Sequence, residues 1–237
     1  MLFRSVTTQN AQTYGDAVRL DAALVTASST NNGAITFQDT VDANAAGAQG
    51  LAVNTGGVTR FNAAVGGARR LASLATDGAG AVGERTELNA NVTTQNAQTY
   101  GDAVLLDAAS VTASSTANGP ITFQSTVDAN AAGVQGLAVN TGGVTRFNAA
   151  VGGTTRLASL TTDGAGAAGE RTELNANVTT QNAQTYGDAV RLDAALVTAS
   201  STANGAITFQ STVDANAAGV QGLAVNTGGV TDRKSVV

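Results

Sequence analysis

The sequence contains no cysteine, no histidine and no tryptophan, and it has one proline and only nine aromatic residues, three Tyr and six Phe. Without cysteine the chain can form neither disulfides nor thiol nucleophiles, and without histidine it lacks the most common general base. No apolar run is long enough for a membrane-spanning helix. The net charge of −5 disfavours nucleic acid, whose phosphates require a basic surface. These absences argue against an enzyme and against a nucleic-acid-binding protein.

The residues that are present are small, and many of them favour strands. The hydrophobic fraction of 43% consists mostly of Ala and Val, beside 28 glycines and much Thr and Asn. Charged residues make up 12% of the chain, which is about half the usual share. Val and Thr suit a pleated surface because their side chains branch at Cβ. Such a composition can fill a thin core but not a thick one.

An internal repeat organises the chain. The segment VTTQNAQTYGDAV occurs three times with a period of 86 residues, beginning at Val6, Val92 and Val178. The first two copies differ at 10 of 86 positions, and the third differs from the second at 3 of the 54 positions that can be compared. We therefore predict one continuous solenoid over 6–231, made of copy one (6–91), copy two (92–177) and a partial copy three (178–231).

Within each copy the apolar residues alternate, as in strands with one buried face. Ile121, Phe123, Val127 and Ala129 follow this pattern, and Gly-rich or Asn-rich breaks such as Asn118-Gly119 separate the segments. The predicted strands of copy two include VTAS (111–114), LAVNT (137–141), LASLTT (157–162) and ELNANVTT (173–180). Taking one Leu per strand as a marker, for example Leu137 and Leu157, indicates about four coils per copy.

We predict an all-β fold, a right-handed parallel β-helix (β-solenoid) with about four coils per 86-residue repeat. Stacked coils pair each strand with those above and below it, so small side chains suffice to close the interior. A tandem array of immunoglobulin-like sandwiches is the alternative, because 86 residues is a suitable length for such a module. The two differ in strand pairing, which is parallel in a solenoid and antiparallel in a sandwich.

The repeat fails at both termini. MLFRS (1–5) stands where the other copies have ELNAN, and DRKSVV (232–237) replaces the expected continuation of VTRF. Both strings are what common short-read sequencing adapters encode. We therefore expect 1–5 and 232–237 to be adapter-derived, non-native tails, and the natural protein to continue in both directions.

The phrases VTRFNAAVGGTTRLASLTTDGAG (144–166), ITFQSTVDAN (121–130) and TQNAQTYGDAV (94–104) resemble repeats of filamentous-haemagglutinin-like and autotransporter-type bacterial surface adhesins. The resemblance covers 6–231. It implies a parallel β-helix that is secreted and displayed at the bacterial cell surface, with help from an outer-membrane secretion partner. In such proteins the repeats form a structural stalk, whereas the regions that attach to host or neighbouring-cell glycans or proteins lie elsewhere.

Aspartates are the most conspicuous candidates for a site. Carboxylates in Gly-rich turns can bind Ca²⁺, but the tandem glycine-aspartate pattern of calcium-binding β-rolls is missing. We favour the interpretation that these residues cap turns. They recur at three repeat positions, in YGDAV (Asp16, Asp102, Asp188), in VDAN (Asp42, Asp128, Asp214) and in TDGAG (Asp77, Asp163).

Aromatic and arginine residues also recur. Exposed aromatics could bind sugars, but we expect these to fill wide points of the core, and we interpret the arginines as solvated charges that discourage association of rods. The aromatics are Tyr14, Tyr100, Tyr186, Phe37, Phe61, Phe123, Phe147 and Phe209, and the arginines are Arg60, Arg70, Arg85, Arg146, Arg156 and Arg171.

Nearly all acidic residues recur with the repeat, as expected of a structural element, although Asp39 is replaced by Ser125 in the next copy. The Gly-rich stretch at 78–84 lacks the lysine of a phosphate loop. We therefore predict no catalytic, cofactor-binding or metal-binding residue and no cofactor. A polysaccharide-active β-helix enzyme is the remaining alternative, and hydrolysis assays would test it.

Overall fold

A computed structural model describes residues 2–77, 82–163 and 169–233. The described residues form short β-strands and no helix, so none of them could cross a membrane as a helix. In chain order the strands are β1 (Leu2–Phe3), β2 (Val6–Thr8), β3 (Gln12–Tyr14), β4 (Val18–Leu20), β5 (Leu24–Ser29), β6 (Ile35–Phe37), β7 (Val41–Ala43), β8 (Gly50–Asn54), β9 (Val58–Phe61), β10 (Leu74–Thr76), β11 (Arg85–Leu88), β12 (Val92–Thr94), β13 (Gln98–Tyr100), β14 (Ala103–Leu106), β15 (Ser110–Ser115), β16 (Ile121–Phe123), β17 (Val127–Ala129), β18 (Gly136–Thr141), β19 (Val144–Phe147), β20 (Leu160–Thr162), β21 (Arg171–Leu174), β22 (Val178–Thr180), β23 (Gln184–Tyr186), β24 (Ala189–Leu192), β25 (Leu196–Ser201), β26 (Ile207–Phe209), β27 (Val213–Ala215), β28 (Gly222–Asn226) and β29 (Thr231–Arg233).

The strands stack into three faces. Single-residue bridges at Val65 and Val151 connect the ladders on two of the faces. The first face runs β1-β4-β7-Val65-β12-β15-β18-β20-β23-β26-β29, the second runs β2-β5-β8-β10-β13-β16-β19-β21-β24-β27, and the third runs β3-β6-β9-β11-β14-β17-Val151-β22-β25-β28. The chain visits the faces in this order, with one strand on each face per turn.

The pairing confirms the predicted parallel β-solenoid. Every strand pair among the described residues is parallel, for example β15 with β18 and β13 with β16, which excludes the sandwich alternative. The ten strands of the second face correspond to about nine turns. The right-handed sense of winding stays a prediction.

One copy of the repeat is not a whole number of turns. Copy one contributes the ten strands β2–β11 and the bridge at Val65, which are eleven strand positions, or three and two-thirds turns. The prediction of about four coils is therefore confirmed. The equivalent strands β5, β15 and β25 consequently lie on the second, first and third faces.

Alternation places the core inside the coil. In β16 the side chains of Ile121 and Phe123 are buried, whereas Thr122 between them is partly exposed. The buried residues form one hydrophobic cluster of Val, Leu, Ile, Ala, Phe and Tyr. Because each residue pairs with residues about one turn away, the small side chains form continuous inward rows.

Two details of the sequence-based assignment were wrong. The predicted strand over 173–180 is two strands, β21 and β22, which lie on different faces and are separated by a bend. The residue that pairs with Leu137 is Leu160, whereas Leu157 bridges to Thr180 on the next face. Alternation alone does not reveal a corner, because side chains on both sides of the corner point inward.

The two ends that depart from the repeat also lie on the stack. Strand β1 pairs in parallel with β4, and β29 pairs in parallel with β26. These pairings show that the backbone of residues 2–3 and 231–233 follows the coil. The adapter origin of 1–5 and 232–237 stays a prediction.

Successive coils approach each other most closely at glycines in the corners. A Cβ atom added to Gly119 would lie 2.3 Å from the backbone carbonyl carbon of Asn96 and 2.5 Å from the backbone nitrogen of Ala97. These distances are shorter than any normal contact, so a side chain there would force two coils apart. The motif Asn-Gly at this corner therefore serves stacking as well as turning.

We expect Gly119→Ala to lower the free energy of unfolding by about 1–3 kcal/mol, because two backbones would have to separate. Gly15→Ala is the matched control, since its Cβ would meet only the side-chain oxygen of Gln38 at 3.8 Å. Urea unfolding followed by circular dichroism measures both. Equal stability of the two variants would contradict the close approach.

Candidate functional site

Two clusters of three carboxylates are the most unusual feature of the described residues. In each cluster, one carboxylate oxygen from each residue lies within 4.8 Å of the others. The first triad consists of Asp77, Glu84 and Asp102, and the second triad consists of Asp163, Glu170 and Asp188. The second triad repeats the first 86 residues later in the chain.

The corners of the coil bring the first triad together. Asp77 directly follows β10, Glu84 directly precedes β11, and Asp102 lies between β13 and β14. Since β13 pairs with β10 and β14 pairs with β11, Asp102 sits one turn along the same corner. The corner joins the second and third faces for this triad, and the first and second faces for the second triad.

Hydrogen bonds hold both aspartates of the first triad, and the carboxyl groups of Asp102 and Glu84 also lie within hydrogen-bonding reach of each other. The backbone N–H of Thr55 donates to Oδ1 of Asp77 at 3.0 Å, and the hydroxyl of Thr86 donates to Oδ2 of Asp102 at 3.2 Å. The same bonds recur in copy two, from Thr141 to Asp163 at 3.0 Å and from Thr172 to Asp188 at 3.3 Å.

One buried aspartate oxygen in each triad receives no hydrogen-bond donor. Oδ1 of Asp102 and Oδ1 of Asp188 are both buried, and no described residue donates to either of them. Asp102 is only 5% exposed and Asp188 only 4%. A buried carboxylate oxygen without a donor is costly, because it has lost its hydration without replacement.

Burial and mutual repulsion make it unfavourable for all three carboxyl groups of a triad to be ionised at once. Burial, followed by the charges of Glu84 and Asp77, raises the pKa of Asp102 to about 8. For Asp188, burial and the neighbouring Glu170 and Asp163 raise the pKa to about 8 as well. Each triad therefore favours taking up positive charge, either as a proton or as a cation.

The raised pKa of Asp102 gives a testable pH dependence in buffer that contains a metal chelator. An aspartate in the unfolded chain has a pKa of about 3.9, so between that pH and about 8 the folded state holds more protons than the unfolded state. This contribution to stability is present below the unfolded pKa, and it is lost as the pH rises through about 8.

We therefore expect the midpoint of urea unfolding to fall between about pH 5 and pH 8. The double variant Asp102→Asn/Asp188→Asn should lose most of this slope. Asp16→Asn, which changes the exposed equivalent in copy one, should retain it. Identical slopes for all three proteins would show that the triads do not hold protons.

A different acidic residue shows what a fully paired carboxylate looks like in this protein. Glu173 is buried, and its carboxylate contacts Arg146 at 2.5 Å, Arg171 at 2.7 Å and Arg191 at 2.7 Å. Burial raises the pKa of Glu173, but the hydrogen bonds and charges of Arg146 and Arg171 outweigh it, so the net shift is downward. Glu87 is held in the same way by Arg60 and Arg85.

The interpretation of the arginines as solvated charges was therefore wrong. Arg60, Arg85, Arg146 and Arg171 lie partly buried against the two glutamates. The other two, Arg70 and Arg156, are also partly buried and donate to the side chains of Gln95 and Gln181. Arg85 and Arg171 stand two residues before the glutamates on the same strands, β11 and β21. Arg60 and Arg146 come from the strand one turn earlier, and only the strand register brings them to the glutamates.

The interpretation that aspartates cap turns is confirmed at several positions. Oδ1 of Asp42 accepts hydrogen bonds from the backbone N–H groups of Ala68 and Arg69, at 3.1 and 2.9 Å. Asp128 accepts two such bonds at 2.9 Å from 154 and 155. Asp214 is exposed on β27, and Asp39 caps the backbone of the following residue.

The aromatic residues fill the core, as predicted. Tyr100, Phe123 and Phe147 are buried on the second face and stack with ring centroids 5.0 and 5.1 Å apart. Equivalent stacks stand on the third face (Tyr14, Phe37, Phe61) and on the first face (Tyr186, Phe209). The partly buried Tyr14 belongs to the same ladder, and burial raises its pKa to about 12.

A buried glutamine network that sequence reasoning missed explains the TQNAQTY motif. Gln98 receives the hydroxyl of Tyr100 at 2.9 Å and donates to the hydroxyl of Thr94 at 3.2 Å and the carbonyl of Ser114 at 2.8 Å. Gln184 repeats these contacts in copy three. The motif therefore satisfies a polar group in the core.

The triads were not predicted as sites, although Asp77, Asp163, Asp102 and Asp188 were singled out. Glu84 was noticed only as part of the Gly-rich stretch at 78–84, of which 78–81 lie outside the described residues. The available signal was a pair of acids seven residues apart that recurs in both copies.

The fold and these clusters define the class as a β-solenoid repeat protein with acidic corners. No family model, curated protein or solved structure matches the chain.

Proposed function

We propose that the chain is a section of the structural stalk of a large secreted bacterial surface protein, which spaces or presents an adhesive region. The main observation that supports this proposal is that the coil continues from one copy into the next. Val65 in copy one bridges to Val92 in copy two, and Val151 in copy two bridges to Val178 in copy three. Added copies would therefore lengthen the same rod.

The contacts support a mechanical role. Strand contacts are confined almost entirely to the coils directly above and below, as in β15 with β18, so stability is distributed along the axis. The buried apolar residues form one continuous cluster along the rod. The resemblance of the repeats to filamentous-haemagglutinin-like and autotransporter-type adhesins supports the same proposal.

The proposal includes a location and partners. The protein is secreted and held at the bacterial cell surface, and an outer-membrane secretion partner exports it. Host or neighbouring-cell glycans or proteins bind through regions outside this chain. Antibodies raised against 92–177 should label intact cells of the source bacterium. Labelling only after the cells are lysed would contradict the location.

A length series tests the stalk role. Proteins with three, four and six copies should lengthen by about 18 Å per copy, because three and two-thirds turns at about 4.8 Å per turn separate equivalent residues. Small-angle X-ray scattering and negative-stain electron microscopy measure the length. A particle that grows in diameter instead would contradict a stalk.

A polysaccharide-active enzyme is the second candidate, and the acidic triads are the observation that favours it. Glycosidases use two carboxylates, one of them with a raised pKa. Against this, Asp102 is almost completely buried, and the same cluster recurs in copy two. Release of reducing sugar from surface polysaccharides, abolished by Asp102→Asn/Asp188→Asn, would favour the enzyme over the stalk.

A further inference from the structure

We propose that each acidic triad is a binding site for a calcium ion, so that the solenoid takes up one Ca²⁺ at a corner of each complete copy. This inference goes beyond the stalk role and does not depend on it. It concerns Asp77, Glu84 and Asp102 in the first triad, and their equivalents in the second.

The geometry fits a single ion. Ca²⁺ binds oxygen ligands at 2.3–2.6 Å, so two oxygens on opposite sides of one ion are about 4.8 Å apart. The three carboxylate oxygens of each triad all lie within 4.8 Å of one another. Three carboxylates can supply up to six oxygens, and Ca²⁺ accepts a variable number of ligands that water can complete.

The unsatisfied oxygen of Asp102 is an independent observation that points to a ligand. Oδ1 of Asp102 is buried and receives no donor from the described residues, while Oδ2 is held by Thr86. The oxygens of Asp188 show the same division, with Thr172 on Oδ2. The carboxylates of Glu84 and Glu170, which lie within hydrogen-bonding reach of Asp102 and Asp188, have no proton to donate when they are ionised. A cation at the centre of the triad would satisfy the buried oxygen in both copies.

Glu173 differs from the triads in the charges that surround its carboxylate. Three arginines neutralise that buried carboxylate, and two arginines neutralise Glu87. The charges that act on Asp102 are instead the negative charges of Glu84 and Asp77. The fold therefore concentrates three acids at one corner, and a bound Ca²⁺ would offset the negative charges that act on Asp102 and Asp188.

Ca²⁺ suits the triads better than Mg²⁺. The three ligands come from different turns and loops, partly exposed at Asp77 and Glu84, and Mg²⁺ requires near-ideal octahedral geometry at about 2.0–2.1 Å and gives up its water reluctantly. Calcium sites of extracellular modules have dissociation constants of about 0.1–1 mM. We expect the triads to fall in this range.

Isothermal titration calorimetry and thermal unfolding test the proposal on the full chain. We expect two Ca²⁺ per chain and a rise in Tm of at least about 3 °C at 10 mM CaCl₂, relative to NaCl of equal ionic strength. MgCl₂ should give a smaller rise. The double variant Asp102→Asn/Asp188→Asn should lose at least about tenfold in affinity.

Two controls separate a lost site from a lost fold. Asp16→Asn changes the exposed equivalent in copy one, and it should bind two Ca²⁺ as the parent chain does. The double variant should be at least as stable as the parent chain in EDTA, because it removes repulsion. Absence of Ca²⁺ binding by the parent chain, or unchanged binding by the double variant, would overturn the proposal. Neither result would affect the length series that tests the stalk.

Discussion

Replacing Phe123 by alanine is expected to lower the free energy of unfolding of the central coils by about 3–5 kcal/mol. Phe123 is completely buried, and its ring stacks on Tyr100 on one side and on Phe147 on the other. Truncation would leave a cavity that two rigid rings cannot fill, since neighbouring strands hold their backbones at a fixed spacing. This loss is the largest that we expect from any single core substitution.

Because the coils are stacked in a line, the effect of Phe123→Ala should be largest near the substitution and decrease along the chain. Because each coil contacts mainly its neighbours, hydrogen exchange in Phe123→Ala should accelerate most in β13, β16 and β19, and much less in β2–β6. Leu24→Ala is the control, since Leu24 is 57% exposed and its loss should change stability by no more than about 0.5 kcal/mol. A uniform acceleration along the whole chain would contradict nearest-neighbour stability.

Replacing Glu173 by alanine is expected to cost about 2–4 kcal/mol, because it leaves three arginines facing each other at one point of the sheet. Their side chains are about one-third exposed, so solvent relieves part of the repulsion. Unfolding should be induced by urea and not by guanidinium, whose charge would screen the effect. High salt should recover part of the loss.

Copy one supplies a matched comparison for this ion cluster. Leu105 is opposite Glu87 in the sheet, at the position that Arg191 takes opposite Glu173. Glu87 therefore contacts two arginines and not three. Glu87→Ala should therefore cost less than Glu173→Ala. Leu105→Arg should add the third contact and increase stability modestly. If Glu87→Ala proved the more damaging change, the number of arginines would not determine the energy of the cluster.

Much of the fold could be predicted from the sequence, because its determinants are local. Small apolar residues at alternate positions identify strands such as β15 and β18. The small side chains favour stacking over a thick sandwich core. Asn118-Gly119 marked a corner correctly, and Asn118 adopts the left-handed backbone that asparagine tolerates. The period of 86 residues in turn showed that the pattern continues along the chain.

The acidic triads could not be predicted, because they depend on register between turns. Asp77 and Asp102 are 25 residues apart, and they meet only because β10 pairs with β13 through Leu74 and Gln98. A shift by two residues would keep every side chain on its side of the sheet and still separate the acids. Arg146 was misread for the same reason, since it meets Glu173 only through the pairing of β19 with β21. Loop lengths determine this register, and alternation carries no information about it.

One 86-residue copy makes three and two-thirds turns, so the number of copies determines both the length of the rod and the direction in which its end faces. Equivalent residues in successive copies point to different sides of the rod, as the aromatic ladders on the third, second and first faces show. Recombination that inserts or deletes one copy would therefore rotate the part of the protein that follows it by a third of a turn about the axis of the rod. Three copies complete eleven turns, so only changes in multiples of three would preserve the bearing of a distal domain. In the proposed stalk, the number of copies would set the direction of whatever region follows them.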